Sequence, residues 1–163
     1  MKEIYAINNL IEKFRKIYNE QYFNGNPDAA YSKFKNGQCY QFAQHLQEIL
    51  PGSDLYISSS KGHVAVGFHN HLYDVSGLIV EDDGYQVMDD MDYLDADVCL
   101  QTNDEVTRRV QNEIIQNVLM EAKETIEFDF ESLIYAVKIS NGINEQEVLT
   151  IDNQKKMIFK QIF

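Results

Sequence analysis

Cations are scarce in this chain of 163 residues: 14 Lys and Arg stand against 26 Asp and Glu, for a formal net charge of −12. Such an average field repels a phosphate backbone, so nucleic acid is not an expected partner. A basic peptide or protein surface is compatible with it, and so is the simpler role of acidity in keeping a protein soluble. Cysteine is equally scarce. Two residues, Cys39 and Cys99, in unlike settings do not make a disulfide framework. They are expected as free thiols in a reducing compartment. No apolar run approaches the length needed to cross a bilayer. Lys2 and Glu3 are followed by charges every few residues rather than by an apolar leader segment. A cytoplasmic protein is therefore expected, or one delivered into another cell without a Sec-type signal. Repeats, low-complexity tracts and linkers are lacking too, and the length suits one domain, 1–163, with a core of its own.

What is present reads as helices followed by strands. Ile4, Ile7, Ile11, Phe14 and Tyr18 recur at spacings of three and four, with Leu10 and Ile17 widening the stripe. This first helix is expected to end near Phe23, before the turn signal Asn24-Gly25-Asn26-Pro27. Residues 28–36 leave room for a short helical turn. A second helix is expected from Gln38 or Cys39, with Tyr40, Phe42, Ala43, Leu46, Ile49 and Leu50 on its buried face and Pro51-Gly52 as its stop. Asp54–Ser60, His63–Phe68 and Leu72–Val80 read as an antiparallel meander. Residues 81–97 are acidic but lack the glycine and glutamate spacing of a calcium loop, so a solvated, partly irregular segment is expected. Thr102 and Glu105 have capping-box spacing before a third helix with Val106, Val110, Ile114, Val118 and Ala122 inward. Residues 101–163 are then a helix followed by further strands, in Leu133–Ile139, Val148–Ile151 and Met157–Phe163. Residues 128–139 fit a helix as well, because periodicity does not settle a short run.

Three residues carry the chemistry. Cys39 stands at the expected start of a helix, where free amides and the helix dipole favour a thiolate. The same amides suit the oxyanion of a tetrahedral intermediate. His63 opens a strand and can take the thiol proton. Asp74 lies on the next strand and can orient the imidazole through its far nitrogen. A bend centred between Phe68 and His69 sets His63 directly opposite Asp74 on one face, and a slip of one residue would separate them. On that face Ala65 and Gly67 are small, which leaves room for the cysteine helix or a substrate. His69 and His71 flank the bend, where solvation is expected rather than a zinc site. His45, six residues after Cys39, is expected to be structural, and Cys99 to be buried filler. Tyr40, Gln41 and Gln44 are candidates for lining a cleft, with helix packing the stronger reading.

The stretches Gly37-Gln38-Cys39-Tyr40-Gln41-Phe42-Ala43, Gly62-His63-Val64 and Tyr73-Asp74-Val75-Ser76-Gly77 resemble the papain-like and transglutaminase-like cysteine hydrolase superfamily. The resemblance implies an α+β fold in which helices pack on an antiparallel sheet. Its minimal papain-like core would span residues 36–80, followed by a C-terminal elaboration. It implies Cys39 as nucleophile, His63 as general base and acid, and Asp74 as orienting carboxylate. Position 33, where a papain-type oxyanion glutamine would be sought, is Lys33, so Gln38 or Asn36 would take that part, with Tyr40 beside them. Only 23 residues separate Cys39 from His63, and no tryptophan is present to shield the histidine. The implied function is a thiol hydrolase or acyltransferase acting on an amide of a protein or peptide, as a peptidase, glutamine deamidase or deconjugase. It would use no cofactor or metal. The alternative is an inactive relative that binds a basic protein surface, as an acidic effector or inhibitor; a metal-binding protein using Cys39 with His63, His69 and His71 is a further class left open. The sequence does not specify an oligomeric state.

Overall fold

A computed structural model describes residues 2–35, 37–81, 84–101 and 104–126, with the side chains of residues 2 and 98–101 left out. The architecture is α+β. Helices α1 (Lys2–Tyr22), α2 (Ala29–Lys35) and α3 (Cys39–Ile49) precede strands β1 (Asp54–Ser58), β2 (His63–Phe68), β3 (His71–Asp74), β4 (Gly77–Leu78) and β5 (Tyr85–Val87). Helices α4 (Asp90–Gln101) and α5 (Glu105–Thr125) follow. The five strands form one antiparallel sheet in the order β4-β3-β2-β1-β5. No helix among the described residues is long and apolar enough to cross a membrane.

The first three helices are joined by aromatic side chains. Phe14 of α1 meets Phe34 of α2 edge-on at 5.5 Å between ring centroids and Phe42 of α3 at 5.0 Å. Such pairs add specific geometry to the burial of large apolar area. All three rings are fully buried. Phe34 immediately precedes Lys35, and Phe42 lies one helical turn beyond Cys39, so this cluster sets where both of those residues emerge. Asn19 of α1 accepts from the Ala30 amide at 2.8 Å and thereby satisfies one of the free donors opening α2.

The hairpin β2–β3 departs from the expected register. Phe68 pairs with His71, Gly67 with Leu72 and Val66 with Tyr73. The two turn residues, His69 and Asn70, both have positive φ, 48° and 64°, as a type I′ connection requires. The bend is thus centred one position later than the sequence reading placed it. Asp74 falls beside Ala65 and diagonal to His63. The offset between the two registers is two residues, which preserves the face. The expected strand Leu72–Val80 is also divided, because Val75 and Ser76 turn the chain between β3 and β4.

Three further expectations change. The acidic segment after residue 81 is more ordered than expected, since it contributes β5 and most of α4. Asp89 and Asp92 cap the start of α4 reciprocally: the Asp92 amide donates to Asp89 Oδ1 at 2.9 Å and the Asp89 amide to Asp92 Oδ2 at 3.0 Å. Two carboxylates at a helix N-terminus satisfy free amides and complement the dipole. Helix α5 is capped by Asp104, which accepts from the Thr107 amide at 2.8 Å, instead of by a Thr102–Glu105 box. Its buried stripe is Ile115, Val118, Leu119 and Ala122, whereas Val106 and Val110 are exposed among the described residues. The apolar runs expected between 127 and 163, and the side chain of Cys99, lie outside the described residues.

Gly67 is required by its neighbour. A methyl group built on it would coincide with the Tyr56 ring, which lies across from Ala65 on β1. The room expected beside His63 is therefore partly taken by Tyr56. Gly67→Ala is expected to destabilise the fold by about 1–3 kcal/mol through overpacking. The cost should shrink in a Tyr56→Ala background, which a double-mutant cycle by urea denaturation would measure. Equal costs in both backgrounds would contradict the contact.

Candidate active site

The nucleophile candidate reaches its place through a local turn. Gly37 has φ of 141°, a conformation that favours glycine, and lets the chain reverse from α2 into α3. Cys39 is the first residue of α3, with Gln38 as the cap position. Gln38 makes no side-chain capping bond, so the first-turn amides are not covered by it. The amides of Tyr40 and Val64 lie near the Cys39 sulfur and favour its anion. Val64 follows His63 in β2, so one strand supplies an amide and an imidazole to the same thiol.

Burial alone would push the Cys39 thiol up, but hydrogen bonding to His63, the Val64 and Tyr40 amides and the imidazolium charge overcome it. The net effect holds the thiol below its ordinary range, which favours the thiolate. Cys39 is a free, half-buried thiol. His63 is buried, and its Nε2 lies 2.8 Å from Asp74 Oδ2, which leaves Nδ1 as the nitrogen for the thiol. Burial pushes His63 down, yet the bonds to Asp74 and Cys39 prevail and its pKa is raised to about 9.

Asp74 is 2% exposed. A buried carboxylate needs compensation at each oxygen. Oδ1 accepts from the Ser76 amide at 2.8 Å and from the Ser76 hydroxyl. Oδ2 accepts from His63 Nε2 and from Lys35 Nζ, the latter at 3.0 Å. Burial raises its pKa, but these donors outweigh burial and hold the carboxyl well below the usual range.

The structure thus brings Cys39, His63 and Asp74 together. Tyr40 contributes its backbone amide, while its phenol donates to Asp97 of α4 at 3.1 Å. Asn36 lies outside the described residues. Gln41 is fully buried and donates to Asn112 of α5, in agreement with the packing reading. His45 also meets Asn112, at 3.1 Å, as a helix–helix contact. His69 pairs with Glu3, and His71 bonds the His69 carbonyl, so both ring nitrogens have local partners. Lys35 and Ser76 are the contributors that sequence reasoning missed. Ser76 carried a signal, since Asp-x-Ser before glycine is a turn in which the carboxylate bonds its own backbone two residues on. Lys35 carried none, because only tertiary packing brings α2 to β3.

A cleft of about 370 Å³ reaches this cluster from the imidazole side, lined by Lys35, Lys61, His63, Ser76, Glu81 and Tyr85 among others. The Lys61 ammonium lies over the Tyr85 ring, 5.6 Å from its centroid. A family model described as phage YunG-like protein matches residues 10–115. The chain belongs to that family. The matched span includes every strand among the described residues and all three clustered residues, so the family's shared region contains the candidate site. No curated protein and no solved structure matches the chain.

The raised His63 pKa has a definite consequence for stability. A group whose pKa is higher in the folded state contributes stability that is complete below its unfolded value, 6.5, and is lost as pH rises through about 9. The imidazole resonance of His63 should therefore titrate near pH 9 by NMR. Asp74→Asn should lower that midpoint by about one unit or more, because it removes the facing charge. A midpoint unchanged in Asp74→Asn would show that the carboxylate does not act on the imidazole.

Proposed function

We propose that this YunG-like protein is a cysteine-dependent hydrolase or acyltransferase acting on an amide bond. Cys39 is its nucleophile, His63 its general base and acid, and Asp74 the carboxylate that orients the imidazole. One observation carries the reading: a half-buried thiol at a helix start shares an imidazole with a buried, fully bonded carboxylate. The arrangement is that of an activated nucleophile, in which a third group orients the base. The resemblance of the three motifs to papain-like and transglutaminase-like hydrolases supports the same chemistry.

In the first half-reaction the Cys39 thiolate attacks the carbonyl carbon. The oxyanion is met by amides of the first turn of α3, with the Gln38 side chain close in sequence to assist. As the carbon–nitrogen bond breaks, the His63 imidazolium gives its proton to the departing amine. The thioester then remains on Cys39. In the second half, water or an amine attacks that carbonyl while His63 takes its proton, and Cys39 leaves as the thiolate, which restores the starting pair. A peptidase, a glutamine deamidase, a deconjugase and a transferase share these steps, and the cleft decides among them. Protein or peptide substrates suit the open, polar cleft.

The test reads the thiol first. In a Cys99→Ser background, iodoacetamide should label Cys39 at mildly acidic pH. His63→Ala should slow that labelling on the order of a hundredfold. Incubation with peptidyl amides, isopeptide-linked lysine peptides and glutamine peptides should then yield a Cys39 thioester by mass spectrometry and release amine or ammonia. Labelling that follows an ordinary free-thiol pH curve in the parent would remove the hydrolase reading and favour an inactive module that binds a basic surface.

A further inference from the structure

Asp74 divides its two oxygens between different tasks. Oδ1 is held by Ser76, two residues away in the same turn. Oδ2 faces His63 Nε2 at 2.8 Å and Lys35 Nζ at 3.0 Å, so an imidazole and an ammonium share one oxygen atom. Lys35 is the last residue of α2 and precedes Cys39 by only four positions, across the Gly37 turn. Its side chain is 30% exposed and forms part of the cleft wall.

We propose that Lys35 is a positioning residue of this site, which ties the segment carrying Cys39 to Asp74 and limits how much of the carboxylate's charge reaches His63. The inference rests on the thiol–imidazole reading above and names a residue which that reading does not require. Two physical effects follow from the shared oxygen. The ion pair anchors the end of α2 to β3, so the short loop to Cys39 has both ends fixed near the imidazole. A cation beside the carboxylate also offsets part of the field that would otherwise stabilise an imidazolium, so the His63 proton is released to a leaving group more readily. Among the described residues, the titratable and charged groups around the imidazole are Cys39 from α3, Asp74 from β3, Lys35 from α2, Tyr85 from β5, and Lys61 and Glu81 on the cleft walls. Among these, Lys35 is the cation bonded to the carboxylate that holds His63.

Iodoacetamide alkylation of the full-length Cys99→Ser protein, followed from acidic to alkaline pH, tests the proposal without a known substrate. The parent should show an early thiolate plateau and a second rise when His63 loses its proton; the same second rise must vanish in His63→Ala. Lys35→Gln should move the His63 step upward by about one pH unit, because the carboxylate then acts on the imidazole alone. Lys35→Arg should leave the step where it is in the parent. A step that stays in place in Lys35→Gln overturns the proposal, and so does an equal displacement in Lys35→Gln and Lys35→Arg, which would indicate altered packing. If the neutral variant does not fold, Lys35→Arg still decides: a retained step supports the proposal and a displaced one overturns it. A parent lacking any His63-dependent step removes the functional reading and this inference with it. A parent step that Lys35→Gln leaves unmoved removes this inference alone.

Discussion

A carboxylate out of water is the constraint around which this molecule is organised. Asp74 is buried and ionised, and its cost of desolvation is offset only because four donors converge on two oxygens. Those donors come from three separate parts of the chain: the end of α2, the start of β2 and the turn after β3. The arrangement that satisfies Asp74 also places His63, and it brings Lys35, four residues before the thiol, to the same oxygen. Folding and site assembly are in this sense one event.

The thiol side is built from different physics. Cys39 relies on the end of a helix, where amides lack intrahelical partners, and on the start of the central strand β2, which carries the Val64 amide. Burial works against the thiolate, and these dipoles with the imidazole reverse that effect. The aromatic contacts of Phe14, Phe34 and Phe42 hold α2 and α3 in the orientation that brings both contributions to bear. The cleft opens on the imidazole side of the cluster, with His63 and Tyr85 in its wall.

Much of this was legible before any coordinates. Periodicity located α1 and α3 to within a residue or two, because an apolar stripe at helical spacing has few other uses. The hairpin was legible as a hairpin, but its register was not. Phe68-His69 and His69-Asn70 are both plausible turn centres, and the second prevails since Asn tolerates positive φ. The error was harmless only because the two registers differ by an even number of residues. The acidic stretch is solvated as expected, with Asp89, Asp90, Asp95 and Asp97 exposed, but its regularity was not legible: Asp89 and Asp92 cap a helix. On α5 the sequence offered two overlapping stripes. Contacts with α1 and α3 bury Ile115 and Leu119 and leave Val106 and Val110 outside.

By itself the sequence determined the ingredients and their order: a helix-start cysteine, a strand-start histidine, an aspartate on the next strand, and an alternation that keeps the last two on one face. Those are local properties, set by backbone geometry over a few residues. Tertiary structure alone decided which donors share Asp74. Lys35 and Asp74 are thirty-nine residues apart in a chain of one hundred and sixty-three, and no local pattern connects them. Their meeting depends on how α2 packs beneath α1 and α3, and that packing is settled by the aromatic core rather than by the charges it brings together.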